Sequence, residues 1–286
     1  MANGRVVTGF SKPYIADYTH SAGVVTYSNP APLARGVEVT LSPESTDDNN
    51  FYADNVQAES ANGIFTGGTV TLTVDGLFTA MKRRVLGYPA AGEDGWTAVG
   101  AGAQPPYVGL GYIVRYMSDG VTSYVPTVLA KVKFNIPEES AATQEDEIDW
   151  QTSELEANLM RDNTSEQNWK FEGAAYTTEA DAEAALLSKL GYVPDATLSA
   201  LSIGSLTLTP TFSKDTTSYA ASTTNDTDTI SATATDSSAT IVIKNGTTTV
   251  VNGEAATWSA GENTVTVIVT NGTQTKTYTV TVTKGD

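Results

Sequence analysis

The stretch TVTVIVTNGTQTKTYTVTVTK, residues 264–284, decides how the last third of the chain folds. Val265, Val267 and Val269 recur every second residue, and so do Tyr278, Val280 and Val282. A period of two puts each set on one face of an extended strand. Threonine suits the outer faces, because its branched Cβ is well tolerated on a pleated surface. Asn271-Gly272 lies between the two runs, and both residue types accept positive φ, so the segment reads as a hairpin. Asn245-Gly246 repeats the device after Ile241-Val242-Ile243. Short strands at this spacing predict a β-sandwich of about 90 residues.

Toward the N-terminus the composition changes at Gly191-Tyr192-Val193-Pro194-Asp195. Beyond this joint threonine and serine dominate and Trp258 stands alone; before it come Trp96, Trp150 and Trp169. Glycine at a helix end with proline shortly after is a stop signal. The expected domains are therefore residues 1–193 and 194–286. The net charge of −17 divides unevenly between them. Residues 194–286 hold eight acids and four bases, net −4, which leaves −13 on residues 1–193. Such acidity argues against static nucleic-acid binding, which needs Lys and Arg at phosphates, and favours solubility by self-repulsion. The chain has no cysteine, which removes disulfides, thiolate metal sites and cysteine nucleophiles together. The opening residues MANGRVVTGFSKPYIADY show no basic stretch followed by an apolar core, and no run approaches the ~20 apolar residues of a membrane span. A soluble protein made in a cytoplasm is the expectation.

The run LSALSIGSLTLTPTFSKDTTSYAAS (198–222), a central Asn-Gly turn and WSAGENTVTVIVTNGTQTKTYTVTVTK (258–284) together resemble the cadherin-like or bacterial immunoglobulin-like β-sandwich family. Trp258 stands where that pattern usually has an aliphatic residue. It and Tyr219 therefore read as core side chains, not as sugar-stacking platforms.

The first domain is also strand-rich. Val37, Val39 and Leu41 alternate with Glu38 and Thr40; a polar acidic loop, Ser42 to Asn50, follows, and the chain resumes at Phe51-Tyr52. This predicts a hairpin with a long exposed tip, the kind of place where assembly contacts concentrate. Residues 69–74 and 128–136 read as further strands. Asp75 is expected to cap a short helix with Leu77, Met81 and Val85 on one stripe, Lys82, Arg83 and Arg84 in its last turn and Gly87 closing it. Residues 148–159 suit a strand with a bulge at Ser153-Glu154, or a short helix. Thr178 to Leu190 is the clearest helix: Thr178 and Asp181 make a cap, Ala182, Leu186 and Leu190 make a stripe, and Gly191 ends it.

In this order, FYADN (51–55), FTGGTVTLTVDGL (65–77), Leu86-Gly87, PPYVGLGYIVRY (105–116), VLAKVKF (128–134) and Trp169-Lys170-Phe171 resemble the major tail protein family of long-tailed phages. The resemblance implies a mainly β chain: a tail-tube β-sandwich or barrel-forming domain with a flanking helix, followed by the immunoglobulin-like sandwich. It implies a structural virion protein whose hexameric rings stack into the tube that conducts DNA. The implied partners are its own copies, other tail proteins such as the tape measure and tail terminator, double-stranded DNA in passage, and a host-surface carbohydrate. The implied location is the virion tail, with the host cytoplasm during assembly. The same carry-over places Glu44, Asp47 and Asp48 at contacts between rings. Glu38, Asp54 and Glu59 are the candidate acids facing the channel, where repulsion would keep DNA from sticking.

No constellation suggests catalysis, and no cofactor is expected. The single histidine, His20, has no Gly-x-Ser-x-Gly elbow to serve and reads as a surface or packing residue. Gly109-Leu110-Gly111 lacks the third glycine and the following helix of a dinucleotide loop. Asp47-Asp48-Asn49-Asn50 and Asp226-Thr227-Asp228 lack the glycine and distal glutamate of a calcium loop and read as solvated turns. Glu138 to Glu156 contains eight carboxylates without a base, which reads as a solvated face more readily than as a glycosidase pair. The rival readings are a bacterial surface adhesin, suggested by the C-terminal domain alone, and a carbohydrate-active or carbohydrate-binding protein with an accessory sandwich.

Overall fold

The structure is a computed structural model that describes residues 4–47, 49–61, 63–143 and 150–285. The protein is mainly β, with several sheets and two helices among the described residues. It divides into two compact units, Met1–Tyr192 and Val193–Asp286.

In the first unit the strands are β1 (Val6–Ser21), β2 (Val24–Pro32), β3 (Gly36–Ser45), β4 (Asn49–Ala53), β5 (Val56–Ala61), β6 (Phe65–Val74), β7 (Val108–Ser118), β8 (Val121–Phe134), β9 (Ser153–Met160) and β10 (Lys170–Glu172). The main sheet runs β2-β1-β7-β8-β9-β6-β3, with β10 paired to β8. Every pairing in it is antiparallel. Alternation drives its burial: Val70, Leu72 and Val74 of β6 and Leu155, Ala157 and Leu159 of β9 face inward. They share one core with Ile15 of β1, Leu110 of β7 and Leu129 and Phe134 of β8. Val39 and Leu41 of β3 and Phe10 of β1 pack on the same core. A Cβ added at Gly36 on β3 would overlap the Phe10 ring, so strands far apart in the sheet order lie side by side. The sheet is rolled around a single interior.

Helix α1 (Thr79–Leu86) contributes Val85 and Leu86 to that interior. Its start differs from the sequence reading. Phe78 is the N-cap and gives no side-chain hydrogen bond, while Asp75 accepts from the Arg35 amide at 3.0 Å and from Arg35 Nε at 2.5 Å. These bonds hold the Asp75 carboxyl below its usual range. A short acid just before a helix found a strand-end arginine instead of the first-turn amides. The helix ends as expected, on Gly87 with φ 69°.

Helix α2 (Glu179–Lys189) covers the outer side of β1, β7 and β8. Thr178 accepts from the Asp181 amide at 3.2 Å, a cap worth about 1 kcal/mol. At the other end Gly191 N–H bonds Ser188 O and Tyr192 N–H bonds Leu187 O, the paired closure of a Schellman motif. Ala182, Leu186 and Leu190 pack on Ala16, Ile113 and Val128. The two glycines of Gly109-Leu110-Gly111 make that packing possible. A Cβ at Gly111 would lie 2.7 Å from Leu186 Cδ1, and one at Gly109 would lie 2.6 Å from the Tyr27 ring. The Tyr14 hydroxyl donates to Glu183 at 2.6 Å, Lys12 pairs with the same carboxylate at 3.0 Å, and Ser11 bonds Glu179. Polar groups of β1 thus pin the helix along its exposed side.

Two further readings are corrected. β9 begins at Ser153 and its pairing with β6 is unbroken, so there is neither a bulge at Ser153-Glu154 nor a helix. Trp150 lies outside the strand and is 83% exposed, and Ile148 falls outside the described residues. The partner of β3 is β6, not the segment at Phe51; β4 and β5 form a separate two-stranded hairpin between them.

The second unit holds β11 (Leu198–Ile203), β12 (Ser218–Thr223), β13 (Thr227–Ala234), β14 (Thr240–Asn245), β15 (Thr248–Val250), β16 (Ala255–Thr257), β17 (Gly261–Asn271) and β18 (Gln274–Lys284). A three-stranded sheet, β11-β13-β16, faces a five-stranded one, β12-β18-β17-β14-β15. Val265, Val267, Val269, Tyr278, Val280 and Val282 are all buried between them. β12 runs parallel to β18; the other pairings are antiparallel. The turns are displaced by one residue from the sequence reading. Asn271 pairs with Gln274 and Asn245 with Thr248, so the loop residues are Gly272-Thr273 and Gly246-Thr247. Only the glycines have positive φ, 55° and 58°, which is the requirement of a type II′ turn at its first central position. Asn271 is a strand residue, buried, whose amide donates to Asp195 O at 3.2 Å.

Candidate assembly surface

Each sequence-derived candidate now has a position. Glu44 is on β3, opposite Gly67 of β6, not in a loop. Asp47 follows the strand and is exposed; Asp48 lies outside the described residues. Asp54 is the first of two turn residues, Asp54-Asn55, between Ala53 and Val56. Both have positive φ, 51° and 64°, the signature of a type I′ hairpin turn. Glu59 lies on β5 opposite Phe51. The β4–β5 hairpin is thus an arm built from its own local pairing. It exposes Phe51 (63%), Tyr52 (61%) and Val56 (67%), far more than isolated core-forming side chains would tolerate.

Glu38 is elsewhere, on the outer face of β3, so the three candidate channel acids are divided between the main sheet and the β4–β5 hairpin. Register shows what Glu38 does share. It is opposite Thr73, which is opposite Glu154; Thr40 is opposite Thr71, which is opposite Glu156. Because Leu155, Ala157, Leu72 and Val39 point into the core, Glu38, Glu154 and Glu156 project together from the other side. On β3, β6 and β9 the result is a face of acids and threonines; on the next strand, β8, Lys133 projects from the same side, opposite Asn158. Beside this face is an open recess of 1120 Å³ lined in part by Glu138, Glu139, Glu154, Glu156 and Lys82. Lys82 pairs with Glu139, and Glu156 accepts from Asn135 Nδ2 at 2.7 Å. Among the described residues no group of acids and histidines is arranged to hold a metal ion.

A second patch escaped the sequence reading. Lys131 and Lys133 project from β8 on either side of buried Val132. Lys131 Nζ lies 4.3 Å from the Tyr107 ring centroid and 5.4 Å from that of Tyr18, and Lys133 Nζ lies 5.6 Å from Tyr107. Lys131 also donates to Asn163 Oδ1 at 2.8 Å, as does the Tyr18 hydroxyl at 2.9 Å. The alternation in Lys131-Val132-Lys133-Phe134 was the readable signal for two cations on one face; Tyr18 comes from β1 and Tyr107 from the segment just before β7.

His20 is exposed on β1 and paired with Val25 across the sheet, which suits its surface reading. In the second unit Asp228 is not part of a solvated turn. It is 8% exposed and accepts from Trp258 Nε1 at 2.9 Å, Asn225 Nδ2 at 2.9 Å and Thr223 Oγ1 at 3.1 Å. Trp258 is 3% exposed, and the hydroxyl of buried Tyr219 lies within hydrogen-bonding distance of the Ser213 and Thr216 carbonyls, to which it can donate its one proton. Both aromatic rings are structural. Asp226 forms a surface ion pair with Lys284 at 2.6 Å.

Residues 198–285, which span β11 to β18, match the family model of the cadherin-like β-sandwich domain. No curated protein matches the chain.

Proposed function

We propose that the chain is a structural subunit of a phage tail tube, with the first unit forming the wall and the cadherin-like unit carried as a decoration. The observation that carries this reading is the outer face of β3, β6 and β9. Glu38, Glu154 and Glu156 stand among Thr40, Thr71 and Thr73 with no cation among them, on a sheet whose last strand, β3, has one edge unpaired within the sheet. A free edge lets a sheet continue into a neighbouring copy, and ring closure then removes the exposed edge. An acidic, hydroxyl-rich lining repels a polyanion. In this reading the channel acids are Glu38, Glu154 and Glu156, while Asp47, Asp54 and Glu59 belong to contacts between copies. The partners are other copies, the tape measure and tail terminator proteins, and DNA in passage.

A second reading, a bacterial surface adhesin or carbohydrate-binding protein, draws on the cadherin-like match at residues 198–285. Electron microscopy of the purified full chain over a concentration series separates the two. Rings and tubes are the expected result; compact monomers at every concentration would reject the tube reading.

A further inference from the structure

We propose that the β4–β5 arm of one copy docks on the Lys131–Tyr107–Lys133 patch of a second copy, a contact that rests on the subunit reading above. The arm needs a cover. A lone two-stranded hairpin is at best marginally stable in water, yet this one presents Phe51, Tyr52 and Val56 to solvent. From Gly36 to Ile64 the chain has six acids, Asp47, Asp54 and Glu59 on or beside the arm among them, and no lysine or arginine.

The patch has the complementary chemistry. Six other cations of the first unit hold carboxylates: Arg5 and Lys170 share Glu172, Lys12 holds Glu183, Arg35 holds Asp75, Lys82 holds Glu139 and Arg84 holds Asp17. Among the described residues neither Lys131 nor Lys133 has a carboxylate in ion-pair reach. In a chain of net charge −17, two neighbouring cations held by tyrosine rings and the neutral Asn163 amide, without a carboxylate, are a site for an acidic, aromatic partner. Tyrosine and phenylalanine are the side chains that interface centres favour, and the charges around them set orientation and encounter rate. The arm and the patch are different surfaces, so each copy can give one contact and receive another. Repeated head to tail, such a contact closes into a ring or propagates; a reciprocal exchange of arms between two copies would stop at a dimer.

Sedimentation velocity of the full chain over a concentration series, at low and at physiological salt, tests the contact by charge exchange. The pair Lys131→Glu and Lys133→Glu, and separately the pair Asp47→Lys and Glu59→Lys, should each weaken self-association about tenfold, more at low salt. The chain carrying all four substitutions should recover most of the loss, which a misfolded variant could not do. A fourfold variant no better than either pair, or pairs that associate like the parent chain, would overturn the contact while leaving the tube reading standing. A parent chain that never associates would remove both.

Discussion

The Asp228 carboxylate takes three hydrogen bonds inside the sandwich, and one donor is the indole of Trp258, thirty residues later in the chain. Removing the acceptor leaves the indole N–H buried without a partner. Asp228→Ala should therefore destabilise the second unit by about 2–3 kcal/mol. Hydrogen exchange of the β17 and β18 amides in the full chain would show it as lost protection; unchanged protection would mean the carboxylate ties nothing together. The sequence reading makes Asp228 a turn residue, although it stands in step with the inward Ile230 and Ala232 of β13. The residue type argued the other way, since aspartate is rarely buried unless paired. Its partners come from two other segments, and no local pattern announces such a meeting. Trp258 and Tyr219 read as core from the resemblance to the sandwich family, whose pattern usually has an aliphatic residue at the Trp258 position, and both are buried.

Element by element, alternation was the strong signal and turn or cap chemistry the weak one. β6, β17, β18 and α2 are where the apolar periods put them. The Asn-Gly turns slipped by one residue because the asparagine side chains serve as strand-end ties. Asn245 donates to Thr257 O, and Asn271 to Asp195 O. Asp75 left its helix for Arg35, an interaction across forty residues. The pairing of β3 with β6 was hidden because the arm between them has its own turn and looks like the continuation of β3. That same masking hid the acidic face: Glu38 is far in sequence from Glu154 and Glu156, and only the order β3-β6-β9 brings them into line. If this face lines the channel, replacing Glu38, Glu154 and Glu156 by lysine should leave rings intact. It should also slow DNA ejection from virions, most at low salt, where screening reaches least. Ejection at the parental rate, with the substitutions verified in the tube, would assign the acids to another wall.

At the scale of the molecule, the two units have separate cores, with no buried residue shared between the cluster of the second and those of the first. Ending the chain after Val193 should therefore leave a folded first unit; on the tube reading, it should build tubes of the same inner diameter as the parent chain, measurable by electron microscopy. Loss of assembly on truncation would make the second unit part of the wall. The placement of β18 carries one more consequence. It is the last strand of its unit, yet it lies inside its sheet, with β12 on one side and β17 on the other. During synthesis β12 must wait, unpaired with its sheet neighbour, until residues 279–284 have left the ribosome. The first unit has by then long been free of the tunnel. If the first unit does build a tube wall, neighbouring nascent chains on one messenger could begin to join through it while the second unit of each is still an open ribbon.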